Sequence, residues 1–182
     1  MLAIGKAKQI NGQLVFSWSV NPGLIVKNEE KGSAVLLDRL KAAQKCQKAG
    51  YAIGLHFDPI VNFSGWEKAY FGTIKKIFQQ LDPEQIIWIS MGALRFNPNV
   101  KKAALEKYAQ SKIYYGELLP GMDGKLRYFR PLRVKMFQEI YKKLSKAAPK
   151  ALIYLCMESP EVWQEVLPQK RMNGGRLAGL FS

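Results

Sequence analysis

Polar residues that could do chemistry sit at the ends of apolar runs in this 182-residue chain. Ser17, Ser19 and Asn21 alternate within LVFSWSVN, so on an extended strand they share one face. His56 and Asp58 close the run AIGLHF. Ser90 and Gly92, with Arg95 just beyond, close QIIWISM, and Cys156, Glu158 and Ser159 close ALIYLC. Each has a plainer reading beside the functional one. The serines can bond locally, a single histidine is commonly structural, Asp58-Pro59 can be only a turn, and Cys156 can be a small buried hydrophobe. Residues 114–133, YYGELLPGMDGKLRYFRPLR, form a second constellation. Pro120-Gly121 and Asp123-Gly124 are turn signals, and Leu126, Tyr128 and Phe129 follow as a short strand, which predicts a hairpin. Lys125, Arg127, Arg130 and Arg133 put cations on and beside it. Arginine can hold phosphate, and an aromatic can stack on a base or wedge against one; the plainer alternative is a solvated surface hairpin.

Several chemistries are excluded. There is no Cys/His cluster with zinc spacing, no GxGxxG and no P-loop. A single histidine with no nucleophile motif argues against a hydrolase triad. Cys46 and Cys156 differ in context and are read as a reduced pair.

The elements that must position these residues alternate in type. Strands are predicted at Leu14–Val20, Ala52–Phe57, Gln85–Met91 and Ala151–Cys156. Helices are predicted at Ser33–Ala49, Trp66–Leu81, Val100–Ala109, Leu132–Ala147 and Pro160–Val166. In the first of these helices Val35, Leu36, Leu40, Ala43 and Cys46 share a face. Lys112–Leu118 reads as strand-like and leads into the hairpin. Strands separated by helices imply a mainly parallel sheet, with ligands at the carboxyl ends of the strands. Four or five such units make an incomplete barrel with two sheet edges to cover.

The net charge of +14 points to a polyanionic partner. Residues 101–150 concentrate it, with thirteen Lys and Arg against Glu106, Glu117, Asp123 and Glu139. No apolar run reaches the roughly 20 residues of a membrane span, and the N-terminus lacks a signal-peptide layout. The expectation is a cytoplasmic protein with no membrane association.

Five ordered segments resemble the C-terminal half of the spore photoproduct lyases, radical S-adenosylmethionine enzymes of DNA repair. They are FSWSVN (16–21), LHFDPIVNFSGWE (55–67), WISMGALRF (88–96), YGELLPGMDGKLRYFRP (115–131) and YLCMESPEVW (154–163). The resemblance spans roughly residues 12–167 and implies an α/β fold: the C-terminal half of a partial (β/α) barrel with a protruding β-hairpin. The implied division is a lead-in at 1–13, the half-barrel at 14–167 with a lesion-binding hairpin at about 118–130, and an irregular tail at 168–182. The implied cofactors are S-adenosylmethionine and a [4Fe-4S] cluster, which together generate a 5′-deoxyadenosyl radical. The implied substrate is DNA carrying the thymine dimer 5-thyminyl-5,6-dihydrothymine. By the same resemblance Ser17, Ser19 and Asn21 border S-adenosylmethionine, His56 faces the lesion, and Arg127 and Tyr128 contact the flipped-out lesion and its backbone. Flipping is required because a stacked dimer cannot reach a buried radical.

By the same resemblance, the family's hydrogen-donating cysteine and its S-adenosylmethionine-binding lysine and tyrosines lie upstream of the region matched, and the chain departs from the family most plainly in its cysteines. The cluster motif CxxxCxxC is nowhere in it, and two cysteines cannot supply three thiolates. The resemblance therefore implies a fragment, one half of a split enzyme, or a decayed gene product. Its partner would be an N-terminal half carrying the cluster, or a second copy of itself. A non-catalytic nucleic-acid-binding remnant is the alternative.

Overall fold

A computed structural model describes residues 14–168. The expected lead-in at 1–13 and the tail beyond Pro168 lie outside the described residues. Strand β1 (Val15–Ser19) is followed by helices α1 (Gly23–Glu29) and α2 (Leu36–Lys48), then β2 (Ala52–Ile60), α3 (Trp66–Gln80) and β3 (Ile86–Ala93). Short strand β4 (Arg95–Phe96), helix α4 (Pro98–Lys107) and the hairpin strands β5 (Leu118–Pro120) and β6 (Leu126–Tyr128) come next. Helix α5 (Arg130–Ala147), β7 (Leu152–Leu155) and α6 (Pro160–Val166) complete the order.

The four long strands form a parallel sheet in the order β1-β2-β3-β7, the open, mainly parallel arrangement expected. The barrel is not closed. One face carries the core. Ile53, Leu55 and Phe57, then Ile89 and Met91, then Ile153 and Leu155 are buried under apolar stripes of α2, α3 and α5. Those stripes follow helical spacing: Leu36, Leu40, Ala43 and Cys46 on α2; Tyr70, Ile74 and Ile77 on α3; Val134, Phe137, Ile140, Tyr141 and Leu144 on α5. Gly50, at φ +87°, supplies the left-handed residue that ends α2.

Three local expectations change. Val35 is not on the buried face of α2; it is the residue before the helix, extended and 56% exposed. Segment 112–117 is not a strand: pairing begins only at Leu118. Helix α1 was not anticipated, because Gly23 and the β-branched Ile25 and Val26 are poor helix formers. Burial of Ile25 and Val26 overrides that preference. The hairpin is part of a three-stranded antiparallel sheet, β4-β6-β5, in which Arg95 pairs with Arg127 and Phe96 with Leu126.

Candidate functional site

Parallel register places polar side chains in rows on the sheet face opposite the helices. Ser19, His56, Ser90 and Tyr154 are register partners across all four strands. One step back lies the row of Ser17, Gly54, Trp88 and Leu152. A Cβ on Gly54 would come within 2.1 Å of the Trp88 indole, so the ring lies directly against the β2 backbone and needs a glycine beneath it.

His56 Nδ1 is 2.6 Å from Ser90 Oγ. Burial lowers the His56 pKa below its ordinary value, with Asp58 pulling weakly the other way. The imidazole is therefore neutral at neutral pH. Burial raises the Tyr154 phenol, against a hydrogen bond with Ser90. This row holds a neutral histidine, two hydroxyls and a phenol on one half-covered face, a set suited to hydrogen-bonding a polar ligand.

Beyond this row the strand ends bring Asp58, Arg95 and Cys156 together. Arg95 donates to both Asp58 carboxylate oxygens, at 3.3 and 3.2 Å, and to Cys156 Sγ at 3.5 Å. The Asp58 carboxylate lies over Gly92, where a Cβ would be 2.7 Å away. Burial raises the Cys156 thiol and Asp58 adds to the rise, outweighing Arg95. Cys156 is a protonated thiol here.

Ser17 and Ser19 are exposed on this open face, as their alternation predicts. Asn21 is not with them. The strand ends at Ser19 and the chain turns into α1, so the alternation stops. Asn21 is 1% exposed; its amide donates to Glu30 Oε1 (2.9 Å) and its Oδ1 accepts from the Tyr70 hydroxyl (3.4 Å). It pins the end of β1.

The two hairpin residues are also held by neighbours. Tyr128 is 4% exposed, and its hydroxyl accepts a hydrogen bond from the Asn62 N–H at 3.1 Å. A ring so placed anchors the hairpin base. Arg127 is folded back on the turn. It donates to Asp123 and packs over Gly121, where a Cβ would meet its Nε at 2.6 Å. The Asp123 carboxyl is raised by desolvation, but the Lys125 N–H and Arg127 pull harder and leave it below its ordinary value. Arg127 Nε is buried with no hydrogen-bond partner, so the present pose of the guanidinium does not satisfy it.

Arg133 joins the two regions. It donates to both Glu158 carboxylate oxygens at 3.1 Å and to the Tyr128 carbonyl at 2.5 Å, in a buried pair. Sequence reading named Arg133 only as one of the cations near the hairpin, and missed Trp88 and Tyr154. Strand parity would have found those two: Trp88 shares parity with Ser90, and Tyr154 with Cys156.

The cluster does not fit this chain. The sequence has only two cysteines, one on α2 in the apolar core and the other at the polar face. Among the described residues no group of three or more His, Cys, Asp or Glu could hold a metal ion.

The family model described as Spore photoproduct lyase matches residues 5–157. Spore photoproduct lyase of Bacillus subtilis (strain 168) is 32% identical over 113 residues, covering 59% of this chain and 32% of that protein. The Geobacillus sp. (strain Y412MC61) enzyme is 30% identical over 105 residues, covering 57% of this chain and 31% of its own. The chain thus spans about a third of the length of the relatives it matches. A solved spore photoproduct lyase complexed with dinucleoside spore photoproduct superposes with a TM-score of 0.72 at 22% identity, covering 83% of this chain and 47% of that one. A doubly substituted form with bound AdoMet and dinucleoside spore photoproduct gives 0.70 at 22% identity, over 82% and 46%.

Proposed function

The chain belongs to the spore photoproduct lyase family, and from that premise we propose that it supplies the DNA-binding half, and one wall of the S-adenosylmethionine site, of an enzyme that repairs 5-thyminyl-5,6-dihydrothymine. The observation that carries this reading is the open polar row of Ser19, His56, Ser90 and Tyr154 beside a cationic hairpin. A flipped dimer needs such a wall to hydrogen-bond its pyrimidine edges. His56, neutral and fixed by Ser90, contacts the lesion. Arg127 holds the lesion's backbone by exchanging Asp123, a partner half exposed to solvent, for a phosphate. Tyr128 sets the hairpin's position through Asn62.

Ser17 and Ser19 offer hydroxyls to S-adenosylmethionine, and Asn21 keeps their strand end in place. S-adenosylmethionine supplies the hydrogen-abstracting radical when it is cleaved. These residues carry no ligand set for the cluster that drives the cleavage, so the chemistry requires CxxxCxxC from elsewhere, in the same protein or on a second polypeptide. Among the described residues β1 is an outer strand of the sheet, with Phe16 on it 36% exposed and Leu14 just before it 43% exposed. An apolar edge of this kind is where such a half, or a second copy of the chain, adds on. A non-catalytic DNA-binding remnant is the second reading, favoured by the missing cluster ligands.

Titration of duplexes with and without the dimer tests the binding role. With about 4–6 phosphates neutralised, log K against log salt has a slope of about −3 to −5. A slope near zero refutes the DNA-binding role. Iron and sulfide analysis after anaerobic reconstitution, with and without the cluster-bearing polypeptide, separates the two readings. A half-enzyme gains a cluster and lyase activity only in the mixture; a remnant binds DNA and gains neither.

A further inference from the structure

The apex of the hairpin carries an apolar side chain that this lesion-binding role does not use. Met122 has a relative exposure of 110%, the highest of the exposed large hydrophobic residues among the described residues. Leu119 and Phe129 are also exposed, but Leu119 lies within β5 and Phe129 at the start of α5. Only Met122 stands on the turn itself.

The turn beneath it is braced. The Gly121 N–H donates to the Lys125 carbonyl at 2.8 Å and the Gly124 N–H to the Gly121 carbonyl at 2.9 Å. The Lys125 N–H donates to Asp123 Oδ1 at 3.2 Å, and Arg127 closes on the same carboxylate. Gly124, at φ +74°, takes the left-handed position that the turn requires. The hairpin thus ends in a firmly held apolar point with Lys125 and Arg127 behind it. Tyr128, the aromatic that the sequence pattern offers as a wedge, is sealed at the base.

We propose that Met122 is the wedge that enters the base stack where the thymine dimer leaves it, a role that rests on the DNA-repair reading above. An extruded dinucleotide leaves a gap with apolar faces above and below. Proteins that distort DNA fill such gaps with Phe, Leu, Ile, Met or Pro. A thioether is unbranched and polarizable and adapts to an irregular gap. Lys125 and Arg127 lie where they can meet the phosphates beside the opening, so insertion and phosphate contact occur together.

The test uses the full chain with three probes: a duplex carrying one 5-thyminyl-5,6-dihydrothymine and a 2-aminopurine next to it, the same duplex without the lesion, and the damaged strand alone. Met122→Ala lowers affinity for the damaged duplex about tenfold and abolishes the 2-aminopurine fluorescence rise that reports unstacking. It leaves affinity for the damaged single strand unchanged, because no stack is entered there. Met122→Leu restores both signals. Equal binding of the damaged duplex by Met122→Ala and the unsubstituted chain overturns the wedge and leaves the lesion-binding role standing. An equal loss on duplex and single strand also overturns it, making Met122 a general contact. If the unsubstituted chain does not prefer the damaged duplex, both proposals fall together. Met122 makes no buried contact, so the substitution does not threaten the fold.

Discussion

On the polar face of the sheet, two candidate side chains are held by residues from distant parts of the chain: His56 by Ser90, and Asp58 by Arg95. On the hairpin, Arg127 is held by Asp123, only four residues away. The difference in range is a difference in what can move. His56 and Ser90 sit on neighbouring strands locked by the common core, so the polar row cannot rearrange without disturbing the helices behind it. Arg127's partner Asp123 lies within one turn and half in solvent, so a phosphate can replace it without consequence elsewhere. A fixed wall, and a braced turn whose arginine can change partner, is a workable division for a site that must hold an extruded base and first grip the duplex.

The seam between the two regions is where the comparison breaks most easily. Arg133 ties the hairpin's Tyr128 carbonyl to Glu158 beyond β7, and both charged side chains are buried. Glu158→Ala strands a buried guanidinium. The expected loss is about 3–5 kcal/mol in denaturant unfolding, with the hairpin becoming sensitive to limited proteolysis. A loss below about 1 kcal/mol would mean that solvent reaches the pair and that the seam does not couple the regions.

The same small substitution made on each side sharpens the contrast. Gly92→Ala drives a methyl into the Asp58 carboxylate at 2.7 Å and overpacks the sheet face, for an expected loss of about 1–3 kcal/mol. Gly121→Ala meets only the flexible Arg127 side chain. Its expected cost is under about 0.5 kcal/mol, with duplex affinity falling as Arg127 is displaced. Equal destabilisation by the two substitutions would show that the hairpin is as firmly integrated as the sheet.

The smallest effect is set by pH. His56 is the only histidine in the sequence, so a histidine-linked slope belongs to it. Its folded pKa lies below the ordinary 6.5. The unfolded chain therefore takes up the proton first as pH falls. Stability is independent of this group above about pH 6.5, declines as pH drops below that value, and levels off below the folded pKa. His56→Gln removes the slope. One imidazole resonance followed by NMR reads the folded value directly, and a value at or above 6.5 would contradict the buried, Ser90-bonded pose.

Much of the sheet was legible in the sequence because its signals are local and periodic. Apolar spacing of 3–4 along α2, α3 and α5, and alternation in β2 and β3, each require one kind of element whatever surrounds it. The same alternation put Ser17 and Ser19 on one face, where they lie. Turn chemistry at Pro120-Gly121 and Asp123-Gly124 likewise located the hairpin. Residue type also settled, without any fold, that two cysteines cannot hold an iron–sulfur cluster. Only the tertiary structure decided which polar residues are free. Asn21 and Tyr128 look available in sequence, yet each is claimed by a residue far along the chain, Tyr70 by a separation of 49 and Asn62 by one of 66. Helix α1 forms against its own propensities because Ile25 and Val26 are buried. Arg133 became the link between hairpin and sheet only when Glu158 was folded against it. Register between strands and pairing between distant side chains depend on how the whole core packs, and local sequence carries no record of that choice.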